Sequence, residues 1–442
     1  MNEITIYNEI NRIEGVYKCY VLIVLLVKAV PLISQFAFVN FLAMFSAVLG
    51  VALIVLDIVR DKRYFQKDIS AILCVFAISY SITIIVNNNV ELVKNIEDLI
   101  WFIICITVFM HFDKDSLKPL ISIFLCSTFI IALLSISCVF FKAGGISDAI
   151  GPWGYLESAQ RLVGIYRSPN YGALYCVLSI IISIIILNKR TSSIKILLYM
   201  NIVMEFLYIC YSGSNTGKVI LVLGIVLLIL YKAIIKRNFQ EWMKYISQAV
   251  LAGGLLVGCI YIINYFTARL LSSYGGVGHE MINFVRQDYV EGSEIGNGRF
   301  LLWHDALQVF KHRPLWGTSM RGYGYYVEKF VPEGWNSGDL GLTIHNDFVS
   351  CLTCCGIIGL IVFVIAICKI MYVIIKTLKF YCKDERFFSL WSAFIIVAII
   401  GCTMVFSDAI LFSNTIQSFI FWITIGYLLN WRYYDERSKR KN

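Results

Sequence analysis

Two residues in the second half of the chain are of the types that polar bond-breaking needs. His345 lies in Thr343-Ile344-His345-Asn346-Asp347, immediately before a long apolar run, so it falls at the start of a helix. A helix N-terminus disfavours an imidazolium, and a neutral imidazole can take a proton from a hydroxyl, which is a general-base position. A capping or interfacial histidine is the other reading of that spacing. Arg299 follows Asn297-Gly298 and opens a segment of helical period that Pro314 ends. A guanidinium beside the unpaired N–H groups of a helix start suits an anionic ligand such as a lipid-linked diphosphate. An interfacial arginine snorkelling to lipid headgroups fits the same position.

Two further stretches could complete such a site. One is Arg161-Leu162-Val163-Gly164-Ile165-Tyr166-Arg167-Ser168-Pro169-Asn170; the other is Ser212-Gly213-Ser214-Asn215-Thr216-Gly217-Lys218. Each joins two apolar runs and supplies positive charge and hydrogen-bond donors. Ser/Gly/Asn turns and snorkelling lysines are also routine at span ends. Cys351, Cys354 and Cys355 form a CxxC inside an apolar run with no second pair, which reads as small packing residues rather than a metal or redox site.

These residues must be positioned by a membrane protein. Of 442 residues, 59% are hydrophobic and 15% charged, at a mean hydropathy of +0.74. That composition excludes an ordinary soluble enzyme. Only six prolines and no low-complexity tract exclude a disordered or fibrous chain. The formal charge of +9 is not gathered into basic runs interleaved with aromatic segments, so no nucleic-acid partner is expected. The 14 cysteines fall in or beside apolar stretches and none lies in the polar segment 267–343, which argues against a disulfide framework.

Apolar runs near the length of a bilayer crossing occur at about 17–36, 38–58, 69–87, 97–112, 119–141, 171–188, 194–212, 217–235, 247–266, 345–374, 387–406 and 410–430. The expected fold is therefore all-α: a polytopic protein of about twelve spans forming a single integral membrane domain over 1–442. A large outer loop, 267–344, separates the ninth span from the tenth. The first run follows Glu3, Glu9 and Glu14 and holds Lys28, so it reads as a retained helix and not a signal peptide. Lys and Arg concentrate in alternate loops and at both ends, whereas 87–96 carries only Lys94, so both termini are expected on the cytoplasmic side. Within the outer loop, Phe300, Trp303, Leu307 and Phe310 form one stripe and His304, Asp305, Gln308 and Lys311 the opposite one. This predicts an amphipathic helix lying on the outer membrane face.

Taken in order, four motifs resemble the bacterial superfamily of O-antigen ligases and O-antigen or capsule polymerases. They are Arg161-x-x-Gly164 with Pro169-Asn170, Ser212-Gly213-Ser214, Gly298-Arg299 with Trp303 and Pro314-x-x-Gly317, and His345-Asn346 with Cys355-Gly356-x-x-Gly359. The resemblance covers most of 160–360. It implies a membrane glycosyltransferase of GT-C-like architecture in the bacterial cytoplasmic (inner) membrane. The implied donor is a glycan on undecaprenyl diphosphate, used at the outer leaflet with no metal or cofactor. It further implies Arg299 as the diphosphate clamp and His345 as the base or the acceptor-orienting residue. Arg161, Arg167, Asn170, Lys218, Trp303 and Asn346 are the implied binding residues. The family often has Ser-Arg where this chain has Ser214-Asn215, which leaves Lys218, Arg161 or Arg167 to replace that arginine.

Polymerisation of lipid-linked repeat units is the preferred activity, since the outer loop has no obvious acceptor domain and its aromatic segment Tyr323 to Trp335 could stack on sugars. A flippase and a chain-length regulator are the candidate protein partners. The alternative within the superfamily is a ligase that transfers the glycan to a lipid core or a protein. Another class, a lipid-linked oligosaccharide flippase, should line its midplane with charge, and here Glu205 is the main acid deep in a span.

Overall fold

The computed structural model describes residues 3–59, 67–87, 90–111, 114–143, 162–187, 192–236, 239–274, 298–334, 344–407 and 410–441, and all regular structure among them is helical. In chain order the helices are α1 (Glu3–Lys28), α2 (Pro31–Ser34), α3 (Ala37–Val59), α4 (Lys67–Val86), α5 (Leu92–Ile104), α6 (Lys114–Ala143), α7 (Pro169–Leu187) and α8 (Ser192–Ser212). They continue as α9 (Asn215–Lys236), α10 (Phe239–Tyr274), α11 (Arg299–His312), α12 (Tyr323–Phe330), α13 (Asp347–Tyr381), α14 (Phe387–Thr403) and α15 (Ile416–Lys441). Three prolines mark boundaries: Pro31 opens α2, Pro169 opens α7 and Pro314 follows α11, where a missing N–H and a fixed φ do least harm, while Pro119 lies inside α6.

Among the described residues, eight helices are long and apolar enough to cross a membrane: α3, α4, α6, α7, α8, α9, α10 and α13. The shorter apolar helices are α14 and the Ile416–Trp431 part of α15. The protein is thus a polytopic membrane protein with eight to ten such helices, fewer than the twelve spans expected. Two of the expected spans account for the difference. The first, 17–36, ends at Lys28 and turns into the one-turn α2, and α1 also carries Arg12, Glu14 and Lys18. The fourth, 97–112, is α-helical only to Ile104 and continues as a π-turn, Cys105–Phe109.

The chain divides into two compact units. One comprises Met1–Tyr20, Ala43–Lys114 and Tyr289–Asn442; the other comprises Val21–Leu42 and Asp115–Asp288. The first has an aromatic centre in which Phe412 stacks on Tyr80 with 3.9 Å between ring centroids and lies 5.0 and 5.5 Å from Phe102 and Phe76. Phe363 and Trp422 extend the cluster at 5.6 and 6.0 Å from Phe76 and Phe102 respectively. Such pairs each add roughly 0.5–1.5 kcal/mol beyond their area burial. The second unit contains the buried polar residues Thr128, Ser179, Ser183, Asn201 and Glu205. Asn201 Nδ2 donates to Ser179 Oγ and Ser183 Oγ at 3.0 Å and to Glu205 Oε2 at 3.1 Å, which supplies Glu205 with a partner inside the bundle.

In the first unit α13 is broken at Gly356, where φ is 69° and ψ −177°. A helix pairs each N–H with the carbonyl four residues back, so Thr353 O would ordinarily take Ile357 N. Instead Ile357 N donates to Pro314 O at 2.9 Å, and the Thr353 and Cys354 carbonyls accept from Thr318 N (3.1 Å) and Ser319 N (2.9 Å). The segment after α11 has entered the gap and paired its exposed backbone. Its other side is held by α4, through Thr83 Oγ1 to Trp316 O (2.7 Å) and Asn87 Nδ2 to Gly317 O (3.0 Å). Unpaired backbone groups at membrane depth cost several kcal/mol each, so the segment is what permits the break.

The crossing needs glycine on both strands. Gly317 has φ 69°, and a Cβ there would lie 2.5 Å from the backbone of Cys354 and Gly356; a Cβ on Gly356 would lie 2.2 Å from Leu315 O. Gly317→Ala and Gly356→Ala should each destabilise the protein by about 1–3 kcal/mol or more, because each adds a left-handed strain to a backbone clash. The loss should appear as a lowered thermal midpoint and a reduced monodisperse fraction in detergent. Gly401→Ala, where a Cβ meets nothing within 4 Å, should leave both measurements near wild type.

Candidate functional site

The crossing fixes α11 against the first third of α13. Leu302, Asp305, Ala306 and Val309 are buried along α11, and Thr353 Oγ1 donates to Ala306 O at 3.2 Å. The face packed on α13 is therefore Leu302-Ala306-Val309, while Phe300 and Leu307 of the apolar stripe are 55% and 41% exposed. Ala306 suits the contact, since a small residue lets the helix approach its neighbour closely.

Arg299 is the first residue of α11. Gly298, in the left-handed region at φ 78°, is its N-cap, and the Gly298 carbonyl accepts from Leu301 N and Leu302 N at 3.1 Å. The guanidinium stands 5.6 Å from the centroid of the Phe406 ring, in the connector after α14. Trp303 follows one turn along the same face, and its indole Nε1 donates to Ile344 O at 3.0 Å. The peptide group just before His345 is thereby tied to the helix that begins with Arg299.

His345 precedes α13 and is not part of its first turn, as the sequence suggested. It is a non-glycine residue in the left-handed region, φ 57°, and is partly exposed. The N-cap is Asn346, whose side-chain oxygen accepts from Phe348 N at 2.9 Å and Val349 N at 3.1 Å. Asn346, expected as a binding residue, thus uses its side-chain oxygen to cap the helix. Asp347 is fully buried; its N–H donates to Met404 O at 2.8 Å and its Oδ1 accepts from Leu411 N at 3.4 Å. The same connector that lies under Arg299 therefore anchors the start of α13. The Trp303–Ile344 bond and this connector thus link the start of α11 to the start of α13, each a helix N-terminus bearing a partial positive charge.

Sequence reasoning missed the support beneath this site. Asn95 Nδ2 donates to Ser319 Oγ (3.1 Å), Asn95 Oδ1 accepts from Tyr80 Oη (2.8 Å) and Arg321 N (3.1 Å), and Met320 N donates to Tyr80 Oη (3.2 Å). Arg321 makes a two-pronged pair with Asp98 at 2.7 Å on each arm, which holds its guanidinium pKa above the ordinary value. The signal was present as polar residues at helical spacing in apolar runs: Tyr80, Thr83 and Asn87 on one, Asn95 and Asp98 on the next. The expected aromatic platform is different. Tyr323 and Tyr326 are buried, Tyr325 is exposed, and Trp335 lies outside the described residues.

In the second unit two of the sequence motifs meet. Ser214 Oγ donates to Asn170 Oδ1 at 2.8 Å and accepts from Gly217 N at 3.1 Å, capping α9. Leu162 N and Tyr208 Oη add bonds to Tyr211 O and Val163 O at 3.0 Å, which lay the 162–170 segment on the end of α8. Lys218, in the first turn of α9, stands 5.9 Å from the Tyr261 ring centroid of α10. Arg167 is exposed, with its N–H on Ala29 O at 3.1 Å. Arg161 lies outside the described residues.

Residues 200–364 match the family model described as O-antigen ligase (Wzy_C). The chain carries an O-antigen ligase domain. No curated protein matches it. The match covers less than half of the chain. Its span includes Ser214, Lys218, Arg299, Trp303, Gly317, His345, Asn346 and Gly356. Arg167, Asn170 and the supporting Tyr80, Asn95, Asp98 and Phe406 fall outside the O-antigen ligase domain.

Trp303→Phe retains the ring but removes the donor to Ile344 O, so it should cost about 0.5–1.5 kcal/mol of stability. Asn346→Ala removes an N-cap and should cost about 0.5–2 kcal/mol, whereas Asn346→Asp, which preserves the accepting oxygen, should restore most of it. Thermal or denaturant unfolding of the purified variants measures both.

Proposed function

We propose that this chain polymerises oligosaccharide repeat units carried on undecaprenyl diphosphate at the outer face of the bacterial cytoplasmic membrane, by inverting, metal-independent glycosyl transfer. The observation that carries the reading is the Trp303–Ile344 hydrogen bond, which couples the helix start bearing Arg299 to the residue beside His345. His345 is also held in a backbone conformation disfavoured for non-glycine residues, and such strain concentrates at functional sites.

In this mechanism the anomeric C–O bond to the diphosphate breaks as an acceptor hydroxyl attacks the opposite face of the sugar. Negative charge grows on the departing diphosphate oxygen, where Arg299 and the α11 N-terminus are already oriented to stabilise it. His345 takes the hydroxyl proton, and the new glycosidic bond has inverted configuration. Arg161, Arg167, Asn170 and Lys218 are assigned to binding the anionic carrier, Trp303 to positioning, and Asn346 to ordering the turn at His345. The proposed topology has both termini cytoplasmic, with α1 and α5 completing twelve crossings and 267–344 outside. A flippase supplying lipid-linked repeats and a chain-length regulator are the proposed partners.

A ligase that moves the glycan to a lipid core or a protein is the second reading, and the description of the matching family model favours it. The two differ in acceptor and share the roles of Arg299 and His345.

Purified protein incubated with a lipid-linked repeat unit should yield a ladder of products by gel and mass analysis. Transfer only to an added acceptor would mean ligation. His345→Ala and Arg299→Ala should each lower turnover by roughly 10²–10³ while the protein elutes and melts like wild type. Near wild-type product from either variant would remove that residue from the mechanism.

A further inference from the structure

The second unit holds a carboxyl that the transfer chemistry does not use. Glu205 is fully buried on α8, about 10 Å along the helix from its Ser212 end and so at membrane depth. Buried with it are Asn201, one turn back on α8, Thr128 of α6, and Ser179 and Ser183 of α7. Thr128 Oγ1 donates to Ser179 Oγ at 3.1 Å, and Asn201 Nδ2 reaches both serines and Glu205. Five oxygen-bearing side chains from three helices thus form one nest.

Two oxygens in this nest lack a donor. Asn201 Nδ2 serves Glu205 Oε2, but Glu205 Oε1 and Asn201 Oδ1 are buried without a hydrogen-bond partner. The Ser179 and Thr128 hydroxyls lie beside the carboxyl without closing a bond to Oε1. The two serines are also set unlike others in the protein. A hydroxyl inside a helix commonly donates to the carbonyl one turn back, as Ser135 does to Ile131 O at 2.7 Å and Ser392 to Phe388 O at 2.6 Å. Ser179 and Ser183 make no such bond, and their oxygens face Asn201 instead.

Charge points the same way. Among the described residues no cationic side chain pairs with Glu205. The titratable side chains it faces, Tyr166 and Cys176, are neutral or negative in every protonation state, so neither can balance a carboxylate. A carboxylate at this depth must be paired, neutralised or bound to a metal.

We propose that this nest binds one sodium ion, held between Glu205 Oε1 and Asn201 Oδ1 with the hydroxyls of Thr128, Ser179 and Ser183 around it. Oxygen donors suit a hard cation. One carboxylate among neutral oxygens balances a single positive charge, whereas a divalent ion would leave net charge buried. A proton would join two oxygens and leave the turned serines without a use. The ion ties α6, α7 and α8 together, and no step of the glycosyl transfer passes through it, so the proposal stands independently of that reaction.

The test uses the full chain in nanodiscs of phosphatidylcholine, which carries no net charge. Dialysis against radioactive sodium should retain one ion per chain, displaced by unlabelled sodium and not by choline at equal ionic strength. Glu205→Gln, nearly isosteric and uncharged, should retain none. Replacing choline with saturating sodium should raise the wild-type melting temperature by about 5 °C. The Glu205→Gln variant should melt alike in both salts, and no lower than wild type without sodium. Absence of retained sodium in wild type, equal wild-type melting in the two salts, or undiminished retention in Glu205→Gln overturns the proposal. An infrared band of a protonated carboxyl, present in saturating sodium and abolished by Glu205→Gln, also overturns it, since a proton would then stand in place of the ion.

Discussion

The first unit depends on an exchange of backbone hydrogen bonds in the first third of a long apolar helix. Once α13 opens at Gly356, its carbonyls need donors that hydrocarbon does not provide, and residues 314–319 supply them. Thr83 and Asn87 of α4 then satisfy carbonyls on the far side of that segment. No member of this arrangement can move independently without leaving polar groups unpaired at depth. The result is a rigid base for α11, which would otherwise be a short helix with little to bury.

The same economy governs the site. Arg299 and His345 are far apart in sequence and reach one region because each sits at the beginning of a helix whose position the crossing sets. One indole hydrogen bond and one connector, which carries both Phe406 and Met404, then fix their register. A helix start of this kind can present a cationic side chain and unpaired N–H groups to one anion.

The helical fold was legible because apolar runs near membrane length leave few alternatives, and the match of each run to a helix follows from hydropathy alone. The number of crossings was less so. At Lys28 and at Ile104 the apolar pattern continues while the backbone changes course, a choice made by packing and not by composition. Arg299, Trp303 and His345 could be selected from residue type and position at helix boundaries. Phe406 could not, since nothing in its sequence surroundings distinguishes it from other span-end phenylalanines. Gly317 and Gly356 were visible as motif residues, but that they pass each other at van der Waals limits is a fact of three dimensions. The face that α11 turns to α13 was not legible, because the apolar stripe marks the side expected toward the membrane, whereas the contact is set by a small residue at 306.

The Trp303–Ile344 bond also bears on how this protein can diverge. It closes a loop spanning 41 positions whose two ends are held fixed. Closure entropy grows only logarithmically, so even doubling such a loop costs about 0.6 kcal/mol. Closure entropy therefore puts little penalty on an insertion between these anchors, provided that it spares α11, residues 314–319 and the Arg321–Asp98 pair, whose bonds hold the two helix starts.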